Sequence, residues 1–183
     1  MSPLIRLPLT IEYALLGFLH GGPLHGYELH RRLADPAGLG RVWRLKQSHL
    51  YALLARLESD GLIDSRREPQ AARPTRRVFA LTAAGRQALV EWVQSPVARG
   101  REVRLDFLAK LYCARAFGPE VVAQLIARQR AALRGWLAGV QREAAGPGAA
   151  PGQFAALVDA FRAGQIEAML AWLEQAERDL PAG

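Results

Sequence analysis

The sequence predicts a mainly α-helical protein with a single β-hairpin in its first half. Three observations carry that expectation. Apolar residues recur at helical spacing through most of the 183 residues, two short β-rich runs flank a stretch containing proline and arginine, and the basic charge gathers around that stretch. Half of the residues are apolar, enough for one compact domain or two small ones to bury a core.

The elements follow in order. Ile11, Leu15, Phe18 and Leu19 share a face of a first helix with Thr10 as its candidate N-cap, and Gly21-Gly22-Pro23 stops it. A second helix spans about His25 to Ala34, with Tyr27, Leu29 and Leu33 on one face. Asp35-Pro36-Ala37-Gly38 breaks it. A third opens at Gln47-Ser48, with Ser48 suited to cap it, and runs to about Asp60 with Leu50, Leu53, Leu54 and Leu57 turned inward. Beyond Gly61, the runs 62–66 and 77–81 read as strands joined by a loop over Pro69 to Pro74. Three short helices and a hairpin make a winged helix-turn-helix, which we place at residues 1–95.

Charge supports that assignment. The chain carries 24 basic and 17 acidic residues, a net +7. Between Pro36 and Arg86 stand Arg41, Arg44, Lys46, Arg56, Arg66, Arg67, Arg73, Arg76, Arg77 and Arg86 against Glu58, Asp60, Asp64 and Glu68, so this segment holds six of the seven excess charges. A general arginine bias of the genome would not give the excess an address. The fold class explains it: the third helix enters a major groove and the hairpin tip lies on neighbouring phosphates of double-stranded DNA. Lys46, Gln47, Ser48 and His49, at the start of the third helix, are the candidates for reading base edges. Tyr27, Tyr51, Arg56, Arg66, Arg67, Arg73, Arg76 and Arg77 are the candidates for the DNA backbone.

The same residues carry a resemblance. Leu15-Leu16-Gly17-Phe18-Leu19, Gly22-Pro23-Leu24-His25-Gly26-Tyr27-Glu28-Leu29, Gln47-Ser48-His49-Leu50-Tyr51, Arg56-Leu57-Glu58, Gly61-Leu62-Ile63 and Arg73-Pro74 leading into Val78-Phe79-Ala80-Leu81-Thr82 occur in that order. Over about residues 10–95 the chain resembles the PadR family of transcriptional regulators. The resemblance implies a dimeric winged-helix repressor that releases DNA when an effector binds.

The remainder, residues 96–183, reads as an α-helical dimerisation and effector domain. Thr82 caps a helix to about Gln94 with Ala84, Ala88, Leu89, Trp92 and Val93 inward, and Ser95-Pro96 ends it. Helices are expected over Val103–Ala116 and from Pro119 to about Arg142, then a connector at 146–152. A last long helix carries Phe154, Leu157, Val158, Phe161, Gln165, Met169, Trp172, Leu173 and Ala176 near a 3.5-residue period. Two such helices expose more apolar surface than a small domain covers, which points to a homodimer. A two-fold dimer also matches a palindromic operator. Trp92, Trp136 and Trp172 each sit on an apolar stripe. They read as core or as a pocket for a small hydrophobic or aromatic effector.

Other classes find less support. His20, His25 and His30 are five apart and do not align on one helix face, and Cys113 is the sole cysteine, so neither a metal, a cofactor nor a disulfide is expected. No catalytic motif is present, so the chain is not expected to be an enzyme. The apolar runs are too short to span a membrane, and the expected location is the cytoplasm. The alternative reading is a winged-helix module for protein docking or small-molecule binding without an operator.

Overall fold

The computed structural model describes residues 10–70, 73–145 and 152–180, with the side chains at 69–70 and 73–75 left out. Its elements are α1 (Thr10–Leu19), β1 (Leu24–His25), α2 (Gly26–Leu33), α3 (Gln47–Ser59), β2 (Ile63–Gln70), β3 (Arg73–Leu81), α4 (Ala83–Gln94), α5 (Leu108–Ala114), α6 (Pro119–Ala144) and α7 (Gln153–Asp179). The mainly helical fold with a winged helix-turn-helix first half is as expected.

Several local readings are corrected. Thr10 does not cap α1: it lies within the helix and its hydroxyl donates to Asp106 Oδ1 at 2.6 Å. Ser48 is not the cap of α3 either, because that helix begins at Gln47 and Lys46 holds the N-cap position without a side-chain bond. Tyr27 leaves the face of Leu29 and Leu33 and is 69% exposed. Ala84 faces solvent. Thr82 does cap α4, its Oγ1 accepting from Gly85 N at 3.0 Å. His25, expected at the start of α2, instead joins Leu24 in a short strand that adds to a three-stranded sheet of order β1-β3-β2.

The wing is longer than the sequence suggests. Its strands run through Pro69 and Pro74, with Ile63 opposite Leu81 and Gln70 opposite Arg73. Proline is tolerated here for two reasons. Pro69 falls at the register irregularity between Glu68 and Gln70, and β1 pairs with β3 only at Val78 and Phe79, so the outer part of β3 has a free edge at Pro74.

The core is continuous. Leu15, Leu16, Leu29, Leu50, Leu54 and Phe79 of the first half join Phe107, Leu125, Leu133 and Leu173 of the second in one buried cluster. The expected helix over 103–116 is irregular, with a π turn at Val103–Phe107 before α5 and a 3₁₀ turn at Arg115–Phe117 after it. Gly118 (φ 103°) then turns the chain into α6, with Pro119 at its first position. The 26 residues of α6 reach about 39 Å at about 1.5 Å per residue, and α7 returns along it, tied by Arg130 to Glu177 and by Arg162 to Glu143.

The α7 stripe divides in two. Leu173 and Ala176 are buried, together with Ile166 outside the stripe, whereas Phe154 (77% exposed), Leu157, Val158, Phe161 and Trp172 look outward. The connector expected at 146–152 lies, apart from Gly152, outside the described residues.

α1 ties the two halves together. Beside the Thr10–Asp106 bond, Gly17 lies against Cys113 so closely that a Cβ there would overlap its sulfur. Cys113 is buried, and desolvation pushes its thiol up to about 12.

Lys110 makes a second joint. Only 3% exposed, it donates from Nζ to the carbonyls of Trp92 (2.6 Å) and Ser95 (2.9 Å) and to Ser95 Oγ (2.8 Å), so α5 supplies a cation to the C-terminal end of α4. Burial lowers its ammonium to about 8 from 10.5, against the opposing pull of Asp106. Below about pH 8 both the folded and unfolded chains hold this proton. Above that the folded chain sheds it first, so stability contributed at Lys110 rises with pH until the unfolded value is passed. The melting temperature of the native chain should therefore gain on that of Lys110→Met between about pH 7.5 and 9.5. Ionisation of Cys113 acts the other way but is common to both proteins. Parallel melting profiles would refute the assignment.

Candidate nucleic-acid interface

The four residues at the start of α3, Lys46, Gln47, Ser48 and His49, are all exposed. They stand out because the opposite face of α3 is anchored by Leu50, Leu53, Leu54 and Leu57, each buried to 2% exposure or less. The approach to α3 is held by His30, whose Nε2 meets the Leu45 carbonyl at 3.0 Å. The 3₁₀ turn at Leu39–Arg41 precedes it, where Gly40 leaves no room for a Cβ against the carbonyl of Ala34.

Tyr51 lies across the start of α2. A Cβ at Gly26 would come within 2.8 Å of its ring and hydroxyl, so glycine is what lets the two helices close here. Tyr27, the next residue of α2, is 69% exposed, and Tyr51 is 41% exposed.

The arginines sort into two groups. Arg67 and Arg76, both exposed, have no carboxylate partner among the described residues. Arg66, Arg77 and Arg56 are engaged. Arg66 pairs with Glu68 at 3.0 Å. Arg77 donates to Glu58 Oε2 (2.6 Å), to Glu58 Oε1 (2.9 Å) and to Ser65 Oγ (2.7 Å), and lies 5.1 Å from the centre of the Phe79 ring. The Ser65 hydroxyl and the Arg77 guanidinium hold the Glu58 carboxyl below the usual range. Arg56 donates from Nε at 2.5 Å to Glu12, which is fully buried in α1. Arg56 and Arg77 thus hold the third helix to α1 and to the wing. The side chain of Arg73 lies outside those described.

Glu12 and Glu58 were missed in the sequence. Glu12 could have been found as the one charge in the otherwise apolar run from Ile11 to Leu19, and Glu58 as a carboxylate at the end of the helix that faces the wing.

The three tryptophans do not gather in one pocket of the chain. Trp92 stacks on Tyr13 (4.7 Å, 3° between planes) with Lys110 Nζ 4.9 Å from its ring centre. Trp172 meets Phe107 edge-on at 6.0 Å. Trp136 lines a separate cavity of about 720 Å³ between α6 and α7.

A scan against family models matches residues 15–91 to the transcriptional regulator PadR-like family, a span that starts in α1 and ends in α4. Over that span the chain is similar to the PadR-like family. The negative transcriptional regulator PadR of Bacillus subtilis (strain 168) is 30% identical over 103 residues, covering 56% of this chain and 56% of that protein. A Mycobacterium tuberculosis protein named "Probable transcriptional regulator Rv1176c" is 27% identical over 96 residues, covering 52% of this chain and 50% of its own. The chain spans about half the length of the curated relatives it matches. Among solved structures, the crystal structure of Bacillus subtilis PadR in complex with operator DNA covers 94% of this chain at 24% identity with a TM-score of 0.47. The PadR-like span contains every candidate DNA-contacting residue named above. Among the described residues no helix is long and apolar enough to cross a membrane.

Proposed function

We propose that the chain is a DNA-binding transcriptional repressor of the bacterial cytoplasm, acting as a homodimer on a palindromic operator and relieved by a small-molecule effector. One observation supports this most directly: the base-facing candidates Lys46, Gln47, Ser48 and His49 stand exposed on an apolar-anchored helix, and in the neighbouring wing Arg67 and Arg76 have no carboxylate partner among the described residues. Residues 1–95 read the DNA in this account, and 96–183 supply the dimer and the effector site. The outward Phe154, Leu157, Val158 and Phe161 are the surface for the second copy, a role that their exposure favours. An effector that binds one spacing of the two third helices better than the other weakens DNA binding by that difference in affinity.

Within the wing, Arg67 and Arg76 take phosphates directly. Arg77 must first yield Glu58, so its main part is to fix the wing against α3. The test is fluorescence anisotropy with DNA from the chain's own upstream region over a range of salt. Arg67→Ala with Arg76→Ala should weaken binding across sequences and flatten the log–log salt slope by roughly 2. An unchanged slope would remove the wing from the interface, and the absence of sequence preference in the native chain would sink the operator reading.

A further inference from the structure

The cavity of about 720 Å³ lies between the C-terminal part of α6, the facing stretch of α7 and the segment around Gly100–Arg104. Its volume falls in the ordinary range of ligand sites, ~300–1,000 Å³, and exceeds what a single ring would fill. Gly135 and Gly139 form part of the wall, and a Cβ built at either would meet nothing within 4 Å. Glycine inside a helix is destabilising relative to alanine, and no close approach within the chain requires either one. What the pair leaves is open room over bare backbone. Spaced four apart, they lie one above the other on a single helix face, so the bared track runs lengthwise.

The rest of the wall indicates what lies on that track. Val140, Ile166 and Met169 are aliphatic or thioether surface, and Trp136 is the one aromatic ring among the lining residues. A wall of that make-up suits a flexible saturated chain better than stacked rings. The rim indicates the head group. Arg101 and Arg104 line the cavity, are exposed and have no carboxylate partner among the described residues. Arg162, Glu143 and Gln165 also line it, and Arg162 is held by Glu143 (2.8 Å) and Asp159 (3.2 Å), so the charge of the Glu143 carboxylate is already matched. Two free guanidinium forks beside an apolar trough match a carboxylate attached to a chain.

We propose that this cavity binds a long-chain carboxylate, its chain laid along the Gly135–Gly139 track and its head held by Arg101 and Arg104. Binding itself does not require DNA. Only its use as the relieving effector rests on the function proposed above.

The test is calorimetric titration of the full chain, without DNA, by decanoate below its micelle concentration. Saturable binding is expected. Decanol, which lacks the charge, and 2-naphthoate, which lacks the chain, should each bind about tenfold or more weakly. Gly139→Leu should abolish decanoate binding while leaving the melting temperature equal or higher, because leucine fills the trough and is the better helix former. Arg101→Ala with Arg104→Ala should lose about tenfold or more in affinity without a change in melting temperature. No binding of decanoate to the native chain, equal binding of all three compounds, or full affinity in Gly139→Leu would each overturn the assignment. So would a Gly139→Leu protein that sediments as a monomer where the native chain is a dimer, since the track would then seat a second copy. Titrating DNA separately tells the two readings apart: decanoate that binds but leaves DNA affinity unchanged upholds the cavity and removes only the effector role.

Discussion

Replacing Gly85 with alanine should cost about 3 kcal/mol or more, a large share of the ~5–15 kcal/mol that holds an ordinary domain together. The reason is a junction made of backbone. The Leu62 carbonyl accepts from Thr82 N at 3.2 Å, and Thr82 in turn donates from Oγ1 to the Gly61 carbonyl at 2.7 Å and accepts from Gly85 N at 3.0 Å. The first turn of α4 therefore stands directly on the crossing from α3 into β2. A Cβ at position 85 would overlap the Leu62 carbonyl, and neither partner is a side chain that can swing away. Thermal melting followed by circular dichroism should show a transition that is far lower or no longer cooperative. Gly164→Ala is the control, since a Cβ there meets nothing within 4 Å and should raise the transition slightly. If the two variants melt alike, the close approach of α4 to the α3–β2 crossing is wrong.

Arg56→Ala is the second large effect, and it separates structure from DNA contact. Removing the arginine takes the Arg56 guanidinium, though not every contact, from the Glu12 carboxylate, which is at 0% exposure. Breaking a fully buried pair costs about 3–5 kcal/mol, but the Arg56 side chain is 38% exposed, so solvent screening brings the expectation to about 2–3 kcal/mol. The double variant Glu12→Leu with Arg56→Ala removes both charges and should recover most of the lost melting temperature. A phosphate-contacting arginine would behave differently, with stability unaffected by its loss and DNA affinity not restored by a change at Glu12. If Arg56→Ala leaves the melting temperature where it was, the bond to Glu12 carries no weight in the fold.

What could be read from the sequence depended on the kind of signal. Apolar spacing placed α1, α3 and α6 to within about two residues, and the position of the basic excess singled out the start of α3 and the wing. Both signals are local. The role of an arginine is not, because it depends on whether a carboxylate distant in sequence faces it. Arg77 meets Glu58 across 19 positions and Arg56 meets Glu12 across 44, so a list of basic residues could not sort the free from the engaged. Prolines 69 and 74 misled for a related reason. They mark a loop only if the strands need partners on both sides, and near the tip of this hairpin they do not. The α7 stripe was read as one face, yet its apolar residues cover two sides of the helix, and only packing against α6 shows which side the chain itself consumes.

The burial of Cys113 has a practical consequence. With the thiol 3% exposed and pushed up to about 12, almost none of it is thiolate near neutral pH, so maleimide and nitroxide reagents should pass it by. A cysteine introduced at an exposed position such as Asp64 would then be the one reactive thiol in each copy of the chain. The native residue can stay in place, keeping its contact with Gly17, while paired labels measure how far apart the two wings of the proposed dimer stand with and without decanoate.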